Sequence, residues 1–172
     1  MCFERIRANG GVSLSQNEMS EDKQQKKKRS PNRHMARESA IEILYAWHNG
    51  GNDVAMLPSI LADRLEEEDR KVQDADYLRE MVYGVTEHCE DLDALIGEAV
   101  KGRSLRSIAH VELNLLRMAV WEMRYHLEIP CRVIINEALE LARDYADEPS
   151  RGFINGVLDK VGQVLRAEEM KK

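Results

Sequence analysis

The sequence has few aromatic residues, few prolines and no long apolar run. Phe, Trp and Tyr make up 5% of the 172 residues and proline occurs four times, whereas Ala, Leu, Glu and Arg are abundant. Because the abundant residues favour helices, this composition predicts an all-α fold rather than a sheet. No apolar run approaches the roughly 18 residues that span a bilayer. The N-terminus also lacks the apolar segment of a secretory signal.

Cysteine and histidine are too sparse and scattered to suggest a disulfide or metal framework. The three cysteines, Cys2, Cys89 and Cys131, are odd in number and far apart, which predicts free thiols in a reducing cytoplasm. The five histidines show no metal-ligand spacing. There is no glycine-rich phosphate loop, and acidic pairs such as Glu137 and Glu140 are expected on an exposed helix face, where carboxylates are usually solvated rather than tuned for acid-base chemistry. The sequence therefore predicts no metal, no cofactor and no enzymatic activity.

Length and apolar periodicity predict one helical domain. A chain that is 43% hydrophobic at this length can bury a single core. Residues 1–32 are polar and aperiodic, which predicts a disordered basic tail, followed by a helical domain over 33–168 and a C-terminal tail over 169–172. The apolar spacing predicts helices at about 35–48, 58–67, 75–90, 91–101 and 108–127, then two more on either side of Pro149. The pair at 75–90 and 91–101 could also be one kinked helix.

The helix predicted over 108–127 is apolar on nearly every side, as in Leu113, Leu116 and Val120. A helix without a polar face must be surrounded by others, so this segment is expected to be the hub of the fold. Arg117 lies in its middle. Because a buried guanidinium needs an opposite charge, an internal ion pair is expected, with Glu112 and Glu137 as candidate partners.

Positive charge is concentrated near the N-terminus. From Lys23 to Arg37 the chain carries seven Lys and Arg and no acidic residue, whereas residues 38–172 carry 16 Lys and Arg against 27 Asp and Glu. A basic arm on an acidic body favours a local site for a polyanion, because clustered cations release counterions on binding. Charge alone also fits a solvated tail that keeps the protein soluble, and both interpretations stay open.

Two groups of residues combine arginine with an aromatic ring. On the first helix, Arg37 and Tyr45 are expected on one face, with Arg33 approaching from its N-terminal side, an arrangement that could hold phosphate and stack a base of single-stranded RNA. Near the start of the last predicted helix, Arg151 and Phe153 could hold a nucleotide between guanidinium and ring. For both rings the alternative is a place in the core.

One glycine of the last predicted helix also needs an explanation. Gly156 lies in the helix interior, where it costs about 1 kcal/mol relative to Ala. The expected reason is that another backbone approaches closely at this position.

Three separated segments resemble the NusB family of bacterial transcription antitermination factors. RHMARESAIEILYAWH resembles that family's first helix, LRMAVWEMRYHLEIPCRV its central helix, and IINEALELARDYADEPSRGFINGVLDKV its C-terminal signature. The resemblance covers roughly residues 33–166 in the right order and spacing. It implies an all-α domain of about seven helices in two packed subbundles. It also implies a non-catalytic protein that binds the boxA RNA of ribosomal RNA leaders with NusE, a small-subunit ribosomal protein, on the elongating RNA polymerase.

The resemblance also implies which residues act. It assigns RNA binding to the basic arm, the first helix and the C-terminal Phe-x-Asn, which with the corner arginine gives Lys28, Arg29, Arg33, Arg37, Tyr45, Arg151, Phe153 and Asn155. It places Glu112 and Glu137 at acidic positions that could face the protein partner. The long tail, with Pro31 and Asn32 interrupting the basic run, departs from the family pattern. Two alternatives stay open, a detached targeting module related to ribosomal RNA cytosine methyltransferases and a homodimeric helical scaffold.

Overall fold

The computed structural model describes residues 31–171, which form eight α-helices and no strand. The helices are α1 (Pro31–Asn49), α2 (Leu57–Glu66), α3 (Ala75–Glu87), α4 (Cys89–Ala99), α5 (His110–Tyr125), α6 (Cys131–Tyr145), α7 (Glu148–Leu165) and α8 (Ala167–Met170). The all-α prediction is confirmed, and each predicted helix bound lies within four residues of an observed one. Of the described residues, none forms a helix long and apolar enough to cross a membrane.

The helices end where local sequence signals indicate. Helix α1 stops at Gly50 and Gly51, and Gly51 has a φ of +84°, a conformation that favours glycine. Helix α7 begins after Asp147, whose carboxylate accepts a 2.9 Å bond from the Ser150 N–H. The segment from 75 to 99 is two helices, because the chain leaves helical geometry at His88.

Helix α5 is the hub of the fold, as predicted. Every residue from Glu112 to Met123 is buried, and α5 packs against α1, α3, α4, α6 and α7. Helices α1–α3 form one subbundle and α4–α7 the other, and α5 joins the two. Helix α1 runs antiparallel to α5: Arg37 near its start contacts Glu122, and His48 near its end contacts His110. This arrangement fixes which α1 side chains can reach solvent.

The buried Arg117 has an internal ion pair, but neither predicted partner supplies it. Its Nε and Nη2 donate to the two carboxylate oxygens of Asp93 on α4, at 2.7 and 2.8 Å. Glu112 instead accepts a bond from the Ala109 N–H at the start of α5. The prediction of an internal ion pair is therefore confirmed, but the predicted partners were wrong. Asp93 lies on another helix, and only the packing of α4 on α5 brings it to Arg117.

The prediction of a close backbone approach at Gly156 was wrong. A Cβ at Gly156 would meet nothing within 4 Å, whereas a Cβ at Gly84 in α3 would lie 2.3 Å from Nε1 of the Trp121 indole. The glycine that the packing requires is therefore in α3, where the hub helix presses its largest side chain against the backbone.

The C-terminal end of the described chain is part of the body. Arg166 is buried and donates to the backbone oxygens of Met123, Leu127 and Ile129, at 3.2, 3.2 and 2.9 Å. Glu169 accepts from the Cys131 N–H at 2.8 Å and so caps the start of α6. The residues that follow α7 therefore satisfy backbone groups at the end of α5 and the beginning of α6.

Replacing Arg166 should destabilise the protein measurably. We expect Arg166→Ala to lower the free energy of unfolding by about 2 kcal/mol, because three backbone carbonyls lose a charged donor. Urea unfolding followed by far-UV circular dichroism would measure the change. Lys171→Ala is the matched control, since Lys171 is exposed and pairs with the exposed Glu168. Equal midpoints for the two variants would contradict the role given to Arg166.

Candidate nucleic-acid interface

Arg33 lies at the N-terminal end of α1 with one third of its side chain exposed. Its guanidinium carbon is 4.6 Å from the centroid of the Tyr77 ring, and its Nη1 is 3.4 Å from Oε1 of the exposed Glu128. The ring holds the cation in place from one side, and the exposed carboxylate is a weak partner. Arg33 can therefore exchange Glu128 for a phosphate at little cost. Lys28 and Arg29 lie outside the described residues.

Arg37 is not on an open face, which corrects the expectation drawn from its helical position. Only 4% of the residue is exposed, and its Nε and Nη2 donate to the Glu122 carboxylate at 2.7–3.1 Å. Burial alone lowers the pKa of Arg37, but the charge and hydrogen bonds of Glu122 outweigh it and leave that pKa above its usual value. Because α3, α5 and α6 cover the N-terminal half of α1, Arg37 holds helices together.

The same polar network includes three further side chains. The Tyr77 hydroxyl donates to Glu122, and burial, together with the Glu122 charge, raises the pKa of Tyr77. Nδ1 of His34 lies 2.7 Å from Oε2 of Glu137, whose other neighbours include Arg37 at 3.5 Å. The network fixes the N-terminal half of α1 and thereby positions Arg33 at the surface.

Tyr45 lies in the C-terminal half of α1 and is half-buried. Ile41, one turn before Tyr45 on the same helix, is buried in the core. His48 stacks on His110 of α5 with ring centroids 3.8 Å apart. Burial and the neighbouring His110 lower the pKa of His48 to about 4, so His48 adds no positive charge at neutral pH. The C-terminal half of α1 therefore offers the half-buried rings of Tyr45 and His48 and no cation.

The corner around Phe153 is built differently from the prediction. The cation over the Phe153 ring belongs to Arg103, whose guanidinium carbon lies 4.5 Å from the ring centroid. Arg151 instead pairs with Glu148 at 3.3 Å, one turn earlier on α7. Phe153 is half-buried and packs on the core, and Asn155 is exposed. The ring and the cation therefore meet as expected, but the cation comes from the connection between α4 and α5.

Arg33 and Phe153 lie at opposite ends of α5. Arg33 contacts Glu128 just beyond the end of α5. Arg166, at the end of α7, binds carbonyls at that same end. Phe153 precedes Arg166 by thirteen residues, which is about 20 Å at 1.5 Å per residue. An RNA that touches both Arg33 and Phe153 must therefore extend along the body.

Glu112 and Glu137 are poorly placed to receive a partner protein. They are 7% and 2% exposed, and their carboxylates accept bonds from the Ala109 N–H and the His34 ring. Their assignment to a partner-binding surface stays a prediction, and their burial argues against it.

Three surface cations escaped the analysis of the sequence. Lys101, Arg103 and Arg106 are exposed on the connection between α4 and α5. The signal was available, because residues 99–111 contain three cations and no acidic residue within an otherwise acidic body. The stretch carries three cations against the seven between Lys23 and Arg37, so charge density distinguishes it less clearly.

These features define a class of helical protein: two subbundles share one buried hub helix, and half-buried rings lie beside arginines at the surface. The NusB family model matches residues 34–163 of the chain. The chain is 39% identical over 134 residues to the transcription antitermination protein NusB of Photorhabdus laumondii, covering 78% of this chain and 94% of that protein. The NusB of Yersinia pestis (strain Pestoides F) is 40% identical with the same coverage. The chain belongs to the NusB family of transcription antitermination factors.

Solved structures agree with this assignment. T. maritima NusB superposes with a TM-score of 0.71 at 27% identity, over 84% of this chain and 99% of that one. A crystal structure of the antitermination factors NusB and NusE in complex with dsRNA superposes with a TM-score of 0.67 at 28% identity, over 79% of this chain and 99% of that one. The fold is therefore shared along nearly the whole length of both neighbours.

Proposed function

We propose that this chain binds the boxA RNA of ribosomal RNA leaders together with NusE, and that the complex acts on the elongating RNA polymerase in the cytoplasm to support transcription of ribosomal RNA. The observation that supports this most is the fold shared with the NusB that was crystallised with NusE and dsRNA. In this proposal the chain is an adaptor without a catalytic role.

The charge distribution fits two different partners. The basic arm with Lys28 and Arg29 leads into Arg33, and single-stranded RNA binds clustered cations with counterion release. Residues 38–172 carry a net acidic charge, and complementary charge speeds the encounter with a basic ribosomal protein. Tyr45, Phe153 and Asn155 lie at the other end of the body. Tyr45 and Asn155 can contact bases there, Phe153 takes part through the Arg103 guanidinium that lies over its ring, and Arg37 serves by positioning α1.

The binding of boxA RNA should be specific and strongly salt-dependent. If about five phosphates are contacted, we expect log affinity to fall with log salt at a slope near −3.5. Arg33→Ala should reduce that slope by about 0.7, because one phosphate contact is lost. Fluorescence anisotropy with boxA RNA and with a scrambled RNA of equal length, each with and without NusE, would measure both effects.

Arg79→Gln is the matched control for Arg33→Ala. Arg79 is an exposed arginine of α3 that pairs with the exposed Asp76, so its loss removes the same charge without touching the proposed surface. Equal affinity for boxA and scrambled RNA, with NusE present, would overturn the proposed function. Light scattering in the same buffers would reveal a homodimer, which stays a prediction.

A further inference from the structure

Arg103 and Phe153 form a cation–π pair at the surface. The guanidinium carbon lies over the ring, 4.5 Å from its centroid, and Arg103 is exposed whereas Phe153 is half-buried. The ring thus contacts one side of the guanidinium, and the exposure of Arg103 leaves the rest of the group accessible. A planar cation held in this way is a platform for a second flat group, because guanidinium planes stack on nucleobases.

Hydrogen bonds within the α4–α5 connection, and one from α7, stabilise the segment that carries Arg103. Gly102 adopts a φ of +83°, and the Ser104 hydroxyl accepts from the Arg106 N–H at 3.3 Å. Arg103 Nη2 donates to the Ser107 carbonyl at 3.4 Å, and Lys160 donates to the Ala99 carbonyl at 3.1 Å. The platform is therefore largely preformed, which lowers the entropic cost of binding.

The charges around the platform are not neutralised within the described part of the chain. No carboxylate there forms an ion pair with Lys101, Arg103 or Arg106, whereas Arg33, Arg37 and Arg151 are all paired. Because these three cations are exposed and have no acidic partner among residues 31–171, they can bind phosphates without first breaking an ion pair in that part of the chain.

We propose that a base of the bound RNA stacks on the outer face of the Arg103 guanidinium, with Phe153 holding that guanidinium from inside and with Lys101 and Arg106 binding the adjacent phosphates. The inference rests on the proposed function, since it names how the RNA continues past α1. It makes Arg103 the stacking residue and Phe153 its positioning residue. A planar guanidinium beside two further cations favours single-stranded RNA as the ligand, because RNA has a base next to each phosphate. An anionic lipid or a phosphopeptide has no such base.

The experiment separates stacking from charge. We would titrate boxA RNA carrying 2-aminopurine at one position at a time, with the full chain and NusE, and record affinity, salt slope and base fluorescence. Arg103→Lys keeps the charge but loses the plane, so the wild-type slope should remain while quenching at one position disappears and affinity falls about fivefold. Arg103→Gln should lose the same quenching and also reduce the slope by about 0.7.

Phe153→Leu tests the positioning role. Phe153→Leu should lose the same quenching as Arg103→Lys. The variant that carries both substitutions should bind RNA no more weakly than either single variant, because both residues belong to one stacked unit. Arg79→Gln should bind as the wild type does. Far-UV circular dichroism and thermal unfolding would confirm that each variant is folded. If Phe153→Leu is unstable, the two Arg103 variants still test the proposal, because Arg103 is exposed.

The outcomes separate the two proposals. If boxA binding and its specificity are intact but both Arg103 variants match the wild type in affinity, slope and quenching, the platform is wrong and the proposed function stands. If the wild type itself fails to distinguish boxA from scrambled RNA, the proposed function is overturned and the platform with it.

Discussion

Arg37→Met should lower the free energy of unfolding by about 3–5 kcal/mol, because it leaves the Glu122 carboxylate buried without its main positive partner. Glu122 is 2% exposed and receives two Arg37 nitrogens at 2.7–3.1 Å. Tyr77 continues to donate to Glu122, but a hydroxyl does not neutralise a charge. Methionine keeps most of the apolar stem of arginine, so the loss measures the charge rather than a large cavity.

Thermal and urea unfolding would measure the effect. For a chain of this size we expect a fall in Tm on the order of 10 °C. Arg79→Met removes an exposed arginine and should change stability by less than about 0.5 kcal/mol. Arg37→Met combined with Glu122→Gln should recover part of the loss, because no unpaired charge remains buried. An Arg37→Met protein as stable as the wild type would show that the pair contributes nothing to the fold.

This expectation changes how RNA-binding data for Arg37 must be interpreted. A variant that loses 3–5 kcal/mol of stability and loosens α1 also displaces Arg33 and Tyr45, which lie on the same helix. Reduced RNA binding would then report on the positioning of α1, not on a phosphate contact by Arg37. Arg33 is partly exposed and Arg103 is exposed, so their variants report on the surface directly.

The sequence predicted most of the fold because its signals are local. Apolar spacing located the helices, Gly50 and Gly51 located the end of α1, and the all-round apolar pattern of α5 identified the hub. Each of these depends on residues a few positions apart, and local preferences and the final packing agree.

The candidate site was predicted less well because its geometry depends on contacts between distant segments. Helical position placed Arg37 on one face with Tyr45 but could not reveal that α3 and α6 cover Arg37. The partner of Arg117 proved to be Asp93, and the cation over Phe153 proved to be Arg103, fifty residues earlier in the chain. Such pairs are fixed by tertiary packing, which a single sequence does not display.

Gly84→Ala should destabilise the protein by about 3 kcal/mol, at the upper end of the range for overpacked cores. A Cβ at this position would lie 2.3–2.6 Å from three atoms of the Trp121 indole. Trp121 is 3% exposed on the hub helix, so the ring cannot move without displacing its neighbours. The roughly 1 kcal/mol that alanine gains over glycine in a helix is too small to offset this clash.

Gly156→Ala is the matched control, because it is the same substitution inside a helix at an exposed position with nothing within 4 Å. Here the propensity gain acts alone, and stability should rise by about 0.5–1 kcal/mol. The two substitutions should therefore shift the midpoint of urea unfolding in opposite directions. Only Gly84→Ala should change the Trp fluorescence of the folded protein. If both variants gained stability, there would be room for a methyl group at position 84. That result would contradict the close contact between α3 and Trp121 of α5.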